Sequence, residues 1–140
     1  RYRAKLRGPL ADRIDMMLDV TRPDPQVIIE GAEGMSSADL RDYVVRGRAF
    51  RAWRESHMDD ADAEAEDDES RSIDGVVSTF ALDEAAEKCV LGLSKRTHLT
   101  GRGIVRLVRI ARTIADVAES EQVTQDHVLE AAMYQGRRDQ

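Results

Sequence analysis

The clearest hydrophobic pattern in the chain lies in residues 98–120, HLTGRGIVRLVRIARTIADVAES. Apolar residues recur there at the spacing of one helix face, and basic residues fall on the opposite side. The predicted apolar stripe consists of Ile104, Leu107, Val108, Ala111, Ile114, Ala115 and Ala118; Arg102, Arg106 and Arg109 lie opposite, with Arg112 at the edge of the basic face. Thr100 is a suitable N-cap for this helix. The pattern predicts core positions at Leu107 and Val108 and arginines that face either water or an anion.

Three further segments have a helical pattern. The first begins at Ser36, has Asp39 three residues later as an approximate capping box, and carries Trp53 near its end. Its Gly47 costs about 1 kcal/mol relative to Ala inside a helix, which indicates a close helix contact. The second covers residues 82–93, and the last begins near Thr124. The expected apolar faces are Leu40, Tyr43, Val44, Gly47 and Phe50 in the first segment, and Val128, Leu129, Ala132 and Met133 in the last.

The first 34 residues have a different character. Residues 16–20 form an apolar run short enough for a strand, and residues 27–29 form a second short apolar run. Between them, Pro23 and Pro25 predict irregular structure over residues 21–26.

The formal net charge of -6 comes from one place, because residues 59–69 hold eight carboxylates and no basic residue. Outside this run, 19 acidic residues are nearly balanced by 21 basic residues. The net charge of the chain therefore indicates little about its partners. Carboxylates at this density repel one another and offer little apolar surface, which predicts a disordered acidic loop at about residues 58–72. The loop lacks the ligand spacing and central glycine of a calcium loop.

Cys89 is the one cysteine in the sequence, which fits a reducing compartment. No apolar run approaches the roughly 20 residues that span a bilayer, and the start of the sequence has no signal-peptide pattern. We therefore expect a cytoplasmic protein without a membrane partner. Because the sequence begins at Arg1 without methionine, we also expect a piece of a longer protein.

Two stretches together resemble a known family. RYRAKLRGPLADRIDMMLDV is similar to the segment that closes the ATPase core of magnesium chelatase-like AAA+ proteins of the ComM/YifB type, and HLTGRGIVRLVRIARTIADVAESEQVTQDHVLEAAMYQ to the family's closing pattern. Arg7 and Ala11 stand where the family has Ser and Leu, and the acidic run is a departure too. The resemblance implies an all-α, small four-helix AAA+ lid domain at residues 35–140, preceded at residues 1–34 by the end of the α/β ATPase core.

The resemblance also implies roles for three arginines. Arg13 in GPLADRID matches the arginine finger, which acts in trans on ATP bound by the next subunit, and its guanidinium is always charged and planar. Arg102 matches sensor 2, which contacts the nucleotide phosphate, and Arg106 is a weaker candidate for the same contact. The structural alternative is that Arg13 pairs with Asp12 or Asp15 and that the arginines of the central helix only face water.

The longer parent protein is implied to be an ATP hydrolase that uses ATP and Mg²⁺, forms a homo-oligomer, expected to be a hexamer, and handles DNA in natural transformation. The sequence itself has no G-x-x-x-x-G-K-[ST] loop, so we expect the fragment alone to be catalytically silent and to bind no cofactor tightly. His57, His98 and His127 are far apart, with no ligand at metal-binding spacing, so no metal site is expected.

Two other functional classes fit the same sequence. The arginine face of the central helix, together with Trp53, would suit a stand-alone helical DNA-binding module. The acidic loop would suit a protein-interaction adaptor.

Overall fold

The computed structural model describes residues 14–18, 20–31, 34–57, 75 and 79–135. Outside the helices, the described residues form two isolated parallel bridges, Met17 with Gln135 and Leu82 with Val123, and no strand. The expected all-α fold is therefore confirmed for this part of the chain. The helices are α1 (Pro25–Glu30), α2 (Ser37–His57), α3 (Glu84–Thr97), α4 (Gly101–Val117) and α5 (Gln125–Met133).

Helix α4 is the centre of the fold, and it contacts α2, α3 and α5. Its predicted apolar stripe is mostly buried: Leu107 is 1% exposed and Val108 0%, which confirms both as core residues. Ala118 at the end of the stripe is exposed, because the helix has already ended at Val117. The neighbouring elements supply the rest of the core through Phe80, Ala86, Val90, Val123, Val128 and Ala131.

Polar residues at the predicted positions start the helices. Thr100 caps α4 by accepting a hydrogen bond from the Gly103 N–H at 3.2 Å. Ser36 and Asp39 form the expected capping box ahead of α2, and the hydrogen bonds from Ser36 lower the pKa of Asp39. The chain turns out of α3 at His98, whose φ of 49° places a non-glycine residue in the left-handed region.

Helix α2 lies on the outside of the fold. Gly47 is its one buried residue, and a Cβ built there would lie 3.0 Å from Val117 Cγ2, so the predicted close helix contact is confirmed. The expectation of a buried face was wrong for the first half of this helix, where Leu40, Tyr43 and Val44 are 52%, 44% and 48% exposed. Those residues continue the Gly47 side of the helix, but about half of each side chain stays exposed to water. A similar correction applies to Leu129 and Met133 in α5, which are 43% and 81% exposed.

Arg112, predicted at the edge of the basic face of α4, is only 5% exposed and so lies in the protein interior rather than facing water. Its Nε donates to Asp116 Oδ1 at 3.0 Å, and its Nη atoms donate to the carbonyl oxygens of Ser120 and Glu121. Arg54 of α2 donates to the same Asp116 oxygen through Nε at 3.0 Å. Burial lowers the pKa of Arg112, an effect that the nearby Asp116 carboxylate opposes. This buried cluster ties α2, α4 and the following turn together.

Two expectations for the first part of the chain need correction. Pro25 and Gln26 are helical, because Pro25 occupies the first turn of α1, where no N–H is needed, and Asp24 accepts from the Gln26 N–H at 2.9 Å. The apolar run at residues 16–20 forms one bridge at Met17 and no strand among its described residues, since only Gln135 pairs with it in the described part of the chain.

The acidic run at residues 59–69 lies outside the described residues, and so does Arg13. The predicted boundary between residues 34 and 35 stays a prediction. None of the helices in the described part of the chain is long and apolar enough to cross a lipid bilayer.

Candidate functional site

Arg102 is an exposed residue in the first turn of α4. Gly101 and Gly103 flank it, and the Thr100 cap fixes the point at which the helix begins. The start of a helix carries a partial positive charge from its unsatisfied N–H groups, which adds to the charge of the guanidinium. The position is therefore suited to an anion such as a phosphate.

Arg106 lies one turn later on α4 and has a different environment. Its side chain is half-buried, and its Nη1 donates to the carbonyl oxygen of Ile14 at 2.9 Å. The alternative in which Arg106 only faces water therefore does not hold, whereas Arg109, a turn further on, is exposed. A contact of Arg106 with nucleotide stays a prediction.

Two more hydrogen bonds surround the Arg106 contact. The Met17 N–H donates to the carbonyl oxygen of Tyr134 at 2.8 Å, beside the bridge between Met17 and Gln135. Gln135 Nε2 donates to the carbonyl oxygen of Gly103 at 3.2 Å. Residues 14–17, the start of α4 and the residues after α5 thus meet at one place, which we call the three-segment junction.

The sequence pattern predicts part of this arrangement, because it places Arg102 and Arg106 on one helix. It does not indicate the bond between Arg106 and Ile14 or the bond between Gln135 and Gly103. Ile14 takes part through its backbone oxygen, which every residue has, so its side chain gave no signal. Gln135 lies in the closing pattern that resembles the family, and its side-chain amide can donate a hydrogen bond. The pattern does not indicate that the acceptor is the Gly103 carbonyl oxygen.

The described residues show little other reactive chemistry. They contain no group of three His, Cys, Asp or Glu side chains placed to hold a metal ion. Cys89 is a free, half-buried thiol, and burial raises its pKa, which disfavours the thiolate that would act as a nucleophile. The junction and the adjoining Arg102 are therefore the candidate site.

Comparison with known families decides the relationship. The sequence model described as "Magnesium chelatase, subunit ChlI C-terminal" matches residues 34–135, which include α2 to α5 and both Arg102 and Arg106. The chain belongs to this family. The magnesium chelatase C-terminal assignment agrees with the resemblance read from the sequence motifs and covers most of the chain. It supports a lid domain of a magnesium chelatase-like protein.

Two curated relatives extend the match into the residues before position 34. The chain is 31% identical over 135 residues to the uncharacterized protein YifB of Escherichia coli (strain K12), and 30% identical over 135 residues to the competence protein ComM of Haemophilus influenzae. Each match covers 96% of this chain and 25% of the relative, so the chain spans about a quarter of the length of these proteins. No solved structure matches the chain significantly.

Proposed function

We propose that this chain is the lid-containing part of a longer magnesium chelatase-like AAA+ ATPase, its parent, and that it supplies two arginines to ATP hydrolysis. The observation that carries the proposal is the position of Arg102, which is exposed in the first turn of the central helix while the other side of that helix is the core. The family match over residues 34–135 supports the same assignment.

Arg102 acts as sensor 2 in this proposal. Its guanidinium hydrogen-bonds the terminal phosphate of ATP, and charge-assisted bonds of this kind are roughly twice as strong as neutral ones. Loss of the γ-phosphate removes that bond and releases the lid to rotate. The buried residues of α4 couple this change to the rest of the lid, because a helix that is packed in the core moves together with its neighbours.

Arg13 acts as the arginine finger, reaching the ATP site of the next subunit in a homo-oligomer, which we propose is a hexamer. An arginine there stabilises the charge that develops on the transferring phosphoryl group. ATP and Mg²⁺ are held mainly by the ATPase core of the parent, so the 140-residue chain alone is catalytically silent.

The test is ATP turnover and nucleotide affinity in the parent. Arg13→Ala should lower turnover by about 10³-fold, the lower end of the effect of an arginine finger, without loss of nucleotide binding. Arg102→Ala should weaken both turnover and binding. Lys88→Ala is the matched control, because it removes an exposed basic residue of α3 whose partner is Glu84. Normal turnover by the Arg13→Ala and Arg102→Ala proteins would contradict the proposal.

We further propose DNA as the substrate of the parent. The name of the Haemophilus relative, a competence protein, supports this, and so does α2, where Trp53 is 43% exposed and Arg41, Arg46, Arg48 and Arg51 are all exposed. A salt titration of DNA binding by the parent tests it: contacts with phosphates weaken steeply with salt. Absence of salt-sensitive binding with and without ATP would contradict this part of the proposal.

A further inference from the structure

The segment that follows Arg13 in the sequence is attached to the central helix by hydrogen bonds. Arg106 joins Ile14 directly to α4 through the 2.9 Å bond. The bond from Met17 to Tyr134 and the bond from Gln135 to Gly103 join the same segment to α4 through the residues after α5. The three-segment junction therefore holds residues 14–17 against the helix that carries Arg102.

Apolar burial contributes to this attachment but leaves much of the segment in contact with water. Ile14 is half-buried, whereas Met16, Met17 and Leu18 are 45%, 42% and 67% exposed. The bond from Arg106 is charge-assisted, whereas the other two bonds are neutral, so it is the strongest of the three. Arg106 therefore supplies the direct bond to α4, and the strongest of the three bonds that hold residues 14–17.

Both proposed ATP-site arginines are close in sequence to this contact. Arg102 precedes Arg106 by one helical turn, and Arg13 directly precedes Ile14 in the sequence. A rotation of α4 will therefore carry the backbone next to Arg13 with it. Without the Arg106 bond, α4 would move with less effect on that backbone.

We propose that Arg106 is a positioning residue that fixes the segment bearing Arg13 to the helix bearing Arg102. The nucleotide bound in one subunit, sensed by its Arg102, then sets the position of that subunit's Arg13 in the site of its neighbour. This inference rests on the proposed function. It assigns to Arg106 a contact with the protein backbone in place of a contact with nucleotide.

Mixed rings of the parent distinguish the two roles. The partner variant lacks the lysine of the G-x-x-x-x-G-K-[ST] loop (Walker A) of the parent's ATPase core. It cannot use its own ATP site, but its arginine finger is intact. An Arg106→Ala subunit has an intact ATP site and a misplaced finger. If the defect concerns the finger, a neighbouring partner subunit supplies a well-placed one, and the mixture recovers turnover.

Five variants, together with the partner variant, complete the experiment. Arg106→Ala alone should lower turnover about 10²-fold with nucleotide affinity unchanged, since a displacement of about 1 Å has an effect of that size. Arg106→Lys should restore most of the turnover, because an ammonium can donate to the Ile14 oxygen. Gln135→Ala should lower turnover less than Arg106→Ala. Arg13→Ala is the reference for a variant that recovers turnover in mixed rings. Arg102→Ala is the reference for a variant that does not recover turnover there.

Recovery with Arg106→Ala comparable to that with Arg13→Ala supports the inference. If Arg13→Ala recovers in mixed rings and Arg106→Ala does not, Arg106 acts on its own subunit's site and the inference is overturned. Normal turnover by Arg106→Ala, with turnover lost in Arg13→Ala, also overturns the inference and leaves the proposed function intact. Normal turnover by Arg13→Ala overturns both.

Discussion

Replacing Asp116 by Ala should be among the most damaging single changes in the described part of the chain. The Asp116 side chain is 7% exposed and lies between Arg112, at 6%, and Arg54, at 11%. Both arginines bond the same carboxylate oxygen at 3.0 Å. Asp116→Ala removes the negative charge from this buried cluster and leaves two guanidinium groups facing each other.

The structure also sets the size of the effect. Removing one partner of a buried ion pair costs about 3–5 kcal/mol, because the remaining charge stays out of water. We expect about 3 kcal/mol, since the carbonyl oxygens of Ser120 and Glu121 still accept from Arg112. Arg54→Ala should cost less, about 1–2 kcal/mol, because Asp116 keeps its bonds with Arg112.

Urea unfolding followed by helical circular dichroism measures these differences. A loss of about 3 kcal/mol lowers the urea midpoint by about 2 M if the slope is about 1.5 kcal/mol per molar. Glu55→Ala is the control for an exposed pair at the edge of the cluster. Glu55 pairs with Arg51 at 2.6 Å and lies 4.0 Å from Arg54 Nη2, but the Glu55 and Arg51 side chains are 51% and 64% exposed. An exposed pair contributes about 0–1 kcal/mol, so this variant should unfold close to the original protein.

The order of the three variants is the critical result. Asp116→Ala must be less stable than Arg54→Ala, and Arg54→Ala less stable than Glu55→Ala. If Asp116→Ala and Glu55→Ala unfold at the same urea concentration, the cluster does not hold α2 and α4 together, and the reasoning from burial is refuted.

Three further predictions use the same unfolding measurement. Leu107→Ala should cost about 2–5 kcal/mol because the side chain is fully buried, and a loss under about 1 kcal/mol would contradict its place in the core. Gly47→Ala should destabilise by about 1–2 kcal/mol: contact with Val117 at 3.0 Å outweighs the gain of about 1 kcal/mol in helix propensity, and a net gain would show that α2 shifts freely. His98→Gly should stabilise by roughly 0.5–1 kcal/mol by relieving the positive φ, and a loss of stability would mean that the imidazole has a role of its own.

The sequence predicted the parts of the fold that depend on local pattern. The apolar stripe of α4, the caps at Thr100 and Ser36, and the contact at Gly47 each depend on spacing within one segment, and all are present. The burial of Arg112 could not be read in the same way. Its bond to Asp116 lies within α4, but the turn at residues 120–121 and Arg54 must approach before that bond is enclosed.

The exposure of Leu40 and Val44 has a related cause. Periodicity assigns residues to a face of a helix, but it does not indicate how far the neighbouring element extends along that face. For the candidate site, motif spacing located Arg102 and Arg106. The contact between Arg106 and Ile14 joins residues 92 positions apart through a backbone oxygen, which no side-chain pattern encodes.

The most direct test of the proposed function is turnover against mixing ratio for two inactive variants of the parent, Arg13→Ala and the Walker A lysine variant. If Arg13 acts on the neighbouring subunit, turnover should rise from near zero at either pure end to a maximum in between, once subunit exchange is verified. The same titration with Arg102→Ala in place of Arg13→Ala should stay low. Turnover that stays near zero at every ratio of the first pair, in verified mixed rings, would contradict the assignment of Arg13 as the arginine that completes its neighbour's ATP site.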